Sequence, residues 1–132
     1  MNVRERKIRG YAVEEMVGSQ WVQGFGVYAV EYAEHYAKEI GRQRDWYLYT
    51  EGAGIVRVHE DSIGDYIGKK DKNGKEIYEG DIVKTLKGET GEIIFAQGKY
   101  QRKINKQWSE DLTYQVEVIG DIYENPELLE GK

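Results

Sequence analysis

The stretch Asp71–Lys84, DKNGKEIYEGDIVK, decides how this chain is read. Asn73 and Gly74 are the two residue types that most easily accept positive φ, so the pair predicts a two-residue type I′ turn with strands on either side. Its lysines and carboxylates also invite a chemical reading, and each such reading fails on spacing. A phosphate loop needs Gly, four residues, then Gly-Lys-Ser/Thr opening a helix. Here five residues separate Gly68 from Gly74, Glu76 takes the hydroxyl position and a strand follows. A calcium loop begun at Asp71 has Glu76 where glycine is required and Ile82 where a bidentate glutamate is required. Glu79 and Asp81, two apart, have no histidine or nucleophile in local company. Asp81 is therefore expected to accept backbone N–H groups at a strand entry, and the whole stretch is expected to be a structural corner.

Toward the C-terminus the pattern continues as short strands, EIIFAQGKY after the turn GETG and then TYQVEVIGDIY, before Pro126 opens a final helical turn in NPELLEGK. Toward the N-terminus, QWVQGFGVYAV alternates as a strand, with Gly24 and Gly26 allowing a bulge or close packing. Tyr32, Tyr36 and Ile40 then recur every four residues and Gly41 follows as a stop, predicting a helix over 31–40. WYLYT and IVRVH around EGAG read as a hairpin, and EDSIGDYIG reads as a break. The expectation is a β-dominated α+β protein. Residues 1–67 would form a subdomain of a few strands plus a short helix, and residues 68–132 a small β-barrel.

The composition sets bounds. At 132 residues with no cysteine, the chain can bury a core without disulfides and has no thiolate metal site. It contains no apolar run of signal-peptide or membrane-span length, so a cytoplasmic protein without membrane contact is expected. A net charge of -5 disfavours nonspecific nucleic-acid binding. Eleven tyrosines and three tryptophans against two phenylalanines suit half-exposed strand positions, where a ring packs and its polar tip meets water.

Two blocks, SIGDYIGKKDKNGKEIYEGDIVK (Ser62–Lys84) and VEVIGDIYENPELLEG (Val116–Gly131), resemble the signature blocks of the YopX-like proteins of phages and prophages in Gram-positive bacteria. Ser62 and Ile67 stand where that family more often has threonine, and EYAEHYAKEIG reads as an insertion. The resemblance implies no established activity and no catalytic residues. Its signature positions, Asp71, Asn73, Gly74, Ile77, Tyr78, Gly80, Asp81, Ile119, Gly120, Asn125, Pro126 and Leu128, are expected to be structural.

The two histidines, His35 and His59, are too few for a metal site without cysteine, and no HExxH spacing is present. No metal or cofactor is expected. Ser62, three residues after His59, lacks the Gly-x-Ser-x-Gly elbow of a nucleophile. The candidate binding segment is GKYQRKINKQW, where Lys99, Arg102, Lys103 and Lys106 are interleaved with Tyr100 and Trp108. Four phosphate contacts there would give a log-log salt slope of about -3.6. The leading expectation is a noncatalytic accessory protein acting through protein contacts, including self-association, with a phage or host protein. Nucleic-acid binding through residues 99–108 is the alternative.

Overall fold

The structure, a computed structural model, describes residues 6–112 and 115–130, so Thr113 and Tyr114 of the expected TYQVEVIGDIY strand lie outside the described residues. The chain divides into two compact units, Met1–Asp65 and Tyr66–Lys132.

In the first unit, β1 (Ile8–Tyr11), β2 (Trp21–Glu31), β3 (Arg44–Thr50) and β4 (Ile55–Val58) form an antiparallel sheet in the order β4-β3-β2-β1. Period-two alternation turns Val27, Leu48 and Val56 to one face, where Leu48 and Val56 join Ala12 and Val58 in a buried cluster. The outer edge of β4 is not left open: Ala12 bridges Val58, Val13 N–H donates to Arg57 C=O, and His59 N–H donates to Tyr11 C=O. The helix α1 (Glu34–Ile40) is shorter than the expected 31–40 because β2 runs on to Glu31, leaving Tyr32 ahead of its first turn. Gly41 ends it in the left-handed conformation, φ 77°, as the sequence predicts. The EDSIGDYIG stretch is not a break. It makes a 3₁₀ turn at Glu60–Ser62 and then β5 (Gly64–Lys70), whose first two residues pair with Ile8 and Arg9 of β1.

In the second unit, Tyr66 and Lys70 of β5 pair with β6 (Glu76–Tyr78). The strands β7 (Asp81–Thr85), β8 (Thr90–Ala96), β9 (Lys99–Lys103) and β10 (Ser109–Asp111) follow one another as hairpins, and β11 (Val116–Asp121) returns to the far side of β7. Ile77, Val83, Ile93 and Val116 fill the core. The expected small barrel is not formed: the order β10-β9-β8-β7-β11 is an open sheet. The reason lies in the corner that opens the sequence reading. On the side of β11 away from β7, Lys72 N–H donates to Val116 C=O (3.0 Å) and Val118 N–H donates to Asp71 Oδ2 (3.0 Å). A barrel would need those groups for a closing strand, and the 71–75 loop already occupies them. The same bonds shield an edge that would otherwise invite pairing with another chain.

That loop also departs from the expected type I′ turn. Gly74 has φ 83°, but Asn73 is not left-handed. Asp71 C=O accepts from Gly74 N–H, and Asp71 N–H donates to Lys75 C=O, closing a three-residue loop in which a type I turn is followed by a left-handed glycine. The two-residue type I′ geometry occurs instead at Gln97-Gly98, where both φ values are positive, 55° and 79°.

Candidate functional site

The outer face of the β2-β3-β4 sheet carries a continuous run of aromatic and apolar side chains. Tyr28 pairs with Tyr47, Gly26 with Tyr49, and Tyr49 with Ile55, all on the face opposite Leu48. A bulge between Gly24 and Gly26 adds Phe25 as an extra residue and turns its ring onto Tyr49, with centroids 6.0 Å apart in a stacked arrangement. Tyr28 links the run, 5.1 Å from Tyr49 and 5.3 Å from Tyr47. These rings are not a covered core. Phe25 and Ile55 are each 54% exposed and Tyr49 is 40% exposed.

One end of this face is locked by charge. Asp45, buried beneath its neighbours, accepts two bonds from Arg42 (2.7 and 3.0 Å) and one from Tyr32 Oη (2.6 Å). Arg57 reaches Asp45 at 3.5 Å and forks onto Glu14 at 2.6 and 3.0 Å. The Arg42 guanidinium, helped by the Tyr32 hydroxyl and opposed by burial, lowers the Asp45 carboxyl to about 2. The same carboxylate, accepting the Tyr32 proton, raises that phenol to about 12. The sign for stability follows. Asp45 is depressed from 3.8, so its contribution is complete above about pH 4 and is lost as pH falls toward 2. Tyr32 is raised from 10, so its contribution is present below pH 10 and is lost as pH rises toward 12. Urea midpoints measured between pH 4 and 2 should fall more steeply for the natural chain than for Asp45→Asn. Parallel profiles would show that the cluster does not couple to folding.

The basic segment is placed differently from a row of four outward cations. Arg102 is buried, its guanidinium bonded to Glu110 (2.5 and 3.1 Å) and to the Thr90 carbonyl (3.2 Å), with Glu89 at 3.6 Å. Lys99 pairs with Asp111 at 2.9 Å, and Tyr100 packs edge-on against Phe95. Lys103, Lys106 and Trp108 face solvent on the β9-β10 hairpin. With Lys103 and Lys106 alone as phosphate contacts, the expected salt slope falls to about -1.8.

The signature residues build two corners. Asp71 Oδ1 accepts the Asn73 and Lys75 N–H groups at 2.9 and 2.8 Å while Oδ2 holds Val118. Burial pushes its pKa up, but the N–H groups of Val118, Lys75 and Asn73 outweigh that and leave it lowered. Asp81 is fully buried and accepts Tyr78 N–H at 2.8 Å, the strand-entry role expected of it, with Gly80 left-handed at φ 93° beside it. Ile77 and Tyr78 are core. In the second corner, Ile119 sits at a β11 bulge, and Gly120 lies under Asn125 and Leu128, whose side chains would be 2.7 and 2.8 Å from an added Cβ. Asn125 Oδ1 accepts Asp121 N–H, and Pro126 opens a 3₁₀ turn through Leu129. Ser62 Oγ is buried and spans the His59 carbonyl and the Tyr11 N–H. Among the described residues, no three His, Cys, Asp or Glu side chains cluster as a metal site, and no helix is long and apolar enough to cross a membrane.

A family model described as YopX protein matches residues 27–130, well over half of the chain. The chain belongs to the YopX family. The YopX match takes in both signature corners, the helix that the sequence suggests is an insertion, and most of the aromatic face. The chain is also similar to a solved structure, protein EF1440 from Enterococcus faecalis, at 22% identity over 95% of this chain and 98% of that one, with a TM-score of 0.46. No curated protein matches this YopX-family chain.

The aromatic face was not singled out in the sequence. The signal was there: Tyr47 and Tyr49 flank Leu48, so if leucine faces the core, the tyrosines face away.

Proposed function

We propose that this YopX-family chain is a noncatalytic phage or prophage accessory protein that works in the bacterial cytoplasm by docking another polypeptide on the outer face of β2-β3-β4. The observation that carries this reading is the exposed run of Phe25, Tyr49 and Ile55, braced from beneath by Tyr28 and Tyr47. Aromatic side chains are enriched at protein interfaces because they supply large contact area at small entropic cost, and contiguous exposed apolar surface marks such sites. The chemistry of the remaining polar groups agrees. Asp45, Asp71, Asp81 and Ser62 are each engaged with backbone groups or ion-pair partners rather than presented to a substrate.

Site-specific photo-crosslinking tests the reading. A photoreactive side chain at position 49 in phage-bearing cells should give a protein adduct that one at exposed position 84 does not. Tyr49→Lys with Ile55→Lys should abolish a crosslink placed at position 28 while changing stability by no more than about 0.5 kcal/mol. Equal labelling at positions 49 and 84 would overturn the assignment.

A further inference from the structure

Two loops outside the aromatic run are built alike and carry opposite charge. The β1-β2 loop, residues 13–20, contains Glu14 and Glu15 and no basic residue. The β9-β10 hairpin tip, residues 103–108, contains Lys103 and Lys106 and no acidic residue. Each is braced from within by one amide side chain. Gln20 donates to the Ala12 and Glu14 carbonyls at 3.0 and 2.9 Å and accepts Met16 N–H at 2.8 Å. Asn105 Oδ1 accepts the Gln107 and Trp108 N–H groups at 2.8 and 3.0 Å, while Ile104 N–H donates to Trp108 C=O at 2.8 Å. Each braced loop then displays apolar surface to water: Val17 is fully exposed, Trp108 is 66% exposed and Ile104 is 39% exposed. A loop held rigid while presenting an apolar residue loses little entropy on docking, the condition under which a small contact becomes a binding one.

We propose that the occupant of each loop is the other loop on a second copy of this chain, with Trp108 and Ile104 of one copy packed on Val17 and Lys103 and Lys106 beside Glu15 and Glu14. Complementary charge selects this pairing over tip-to-tip or loop-to-loop contact, which would oppose like charges. The contact joins two different surfaces, so it is heterologous: it closes into a ring or extends as a chain rather than stopping at a two-fold dimer. It rests on the protein-contact reading above only in naming a polypeptide partner, since it uses other residues.

Sedimentation velocity of the full chain tests it over a concentration series at low and high salt. Mass should rise with concentration and fall back with salt, as expected for exposed charges beyond screening distance. Lys103→Glu with Lys106→Glu should weaken association by about tenfold or more, as should Glu15→Lys with Val17→Lys. Because the first variant carries two acidic surfaces and the second two basic ones, mixing them should restore association that neither shows alone. A monomer at every concentration, or a mixture no better than its parts, overturns the proposal. So does association that survives both charge reversals but is lost in Tyr49→Lys with Ile55→Lys, which would place the second copy on the aromatic face and leave the contact reading standing. A tip that instead binds single-stranded DNA with a salt slope near -1.8, the chain remaining monomeric, also overturns it.

Discussion

Replacing Asp71 with alanine is expected to cost about 3–5 kcal/mol of folding stability, a large part of what a domain of this size possesses. The side chain accepts three backbone N–H groups, two within its own loop and one from Val118, 47 residues away. Hydrogen bonds to a charged acceptor are worth about 1.5–3 kcal/mol each and do not add fully, and the truncation also leaves a buried N–H group without its acceptor. Asp71→Asn separates these effects. One amide oxygen can still serve the loop, but the amide nitrogen faces the Val118 donor, so a loss of about 2 kcal/mol is expected. Urea unfolding gives the totals, and hydrogen exchange at the Val118 amide locates them. Loss of the 71–75 clasp also opens the outer edge of β11, so Asp71→Ala should aggregate or self-pair more readily than an equally destabilised core variant. A cost under about 1 kcal/mol, with Val118 still protected, would show that the corner is an ornament on a sheet that holds without it. The pKa direction adds a check. Because Asp71 is lowered on folding, its contribution is present above the unfolded value near 3.8 and is lost as pH falls through the folded one, a trend that Asp71→Asn removes.

The same residue explains why the sequence predicts the strands here better than their joining. Asn73-Gly74 has the strongest local preference for a type I′ turn in the chain, yet Asp71 binds Asn73 N–H and Lys75 N–H at once, which requires the wider three-residue loop. Gln97-Gly98, a weaker local signal, takes the type I′ form because Ala96 and Lys99 are held opposite each other by the β8-β9 register. A barrel is a reasonable inference from short strands at close spacing, but closure depends on whether β11 has a free edge. That edge is taken by a loop more than 40 residues upstream. Local periodicity carries no record of such a pairing. The Asp81 cap, by contrast, is legible because its acceptor and its donor, Tyr78 N–H, are three residues apart.

The candidate surfaces divide in the same way. Arg102 looks like a phosphate ligand beside Lys103, but strand alternation turns it inward, opposite Ile93 and toward Glu110. Lys103 and Lys106 stay outside because they fall at the strand end and in the turn. Applied one strand at a time, the alternation rule would have placed Arg102 with buried Ile93, yet a buried arginine is identifiable only once Glu110 and Glu89 are known to surround it.

The glycines of β2 supply the sharpest test of how the aromatic face is made. A Cβ on Gly24 would lie 2.0 Å from the Tyr49 carbonyl oxygen and 2.8 Å from its carbon, both backbone atoms of the paired strand, and 2.9 Å from buried Leu48. One on Gly26, two residues on, would meet nothing nearer than Tyr49 Cδ2 at 3.7 Å. Neither glycine has positive φ, so the contrast is steric. Gly26→Ala should be neutral or stabilise by about 0.5–1 kcal/mol, because alanine loses less conformational freedom on folding. Gly24→Ala should cost about 3 kcal/mol or more, at the upper end of overpacking, since the clash is relieved only by moving β2 away from β3. That movement undoes the bulge that turns Phe25 onto Tyr49, so the substitution reaches the surface as well as the core. In urea unfolding the two alanine variants should therefore move in opposite directions, or one not at all. In crosslinking from position 49, Gly24→Ala should lose the adduct at temperatures where it is still folded, while Gly26→Ala keeps it. Equal stability shifts would mean that the strands separate easily at this point. A Gly24→Ala chain that is destabilised but still captures the partner would show that the contact does not depend on the orientation of Phe25.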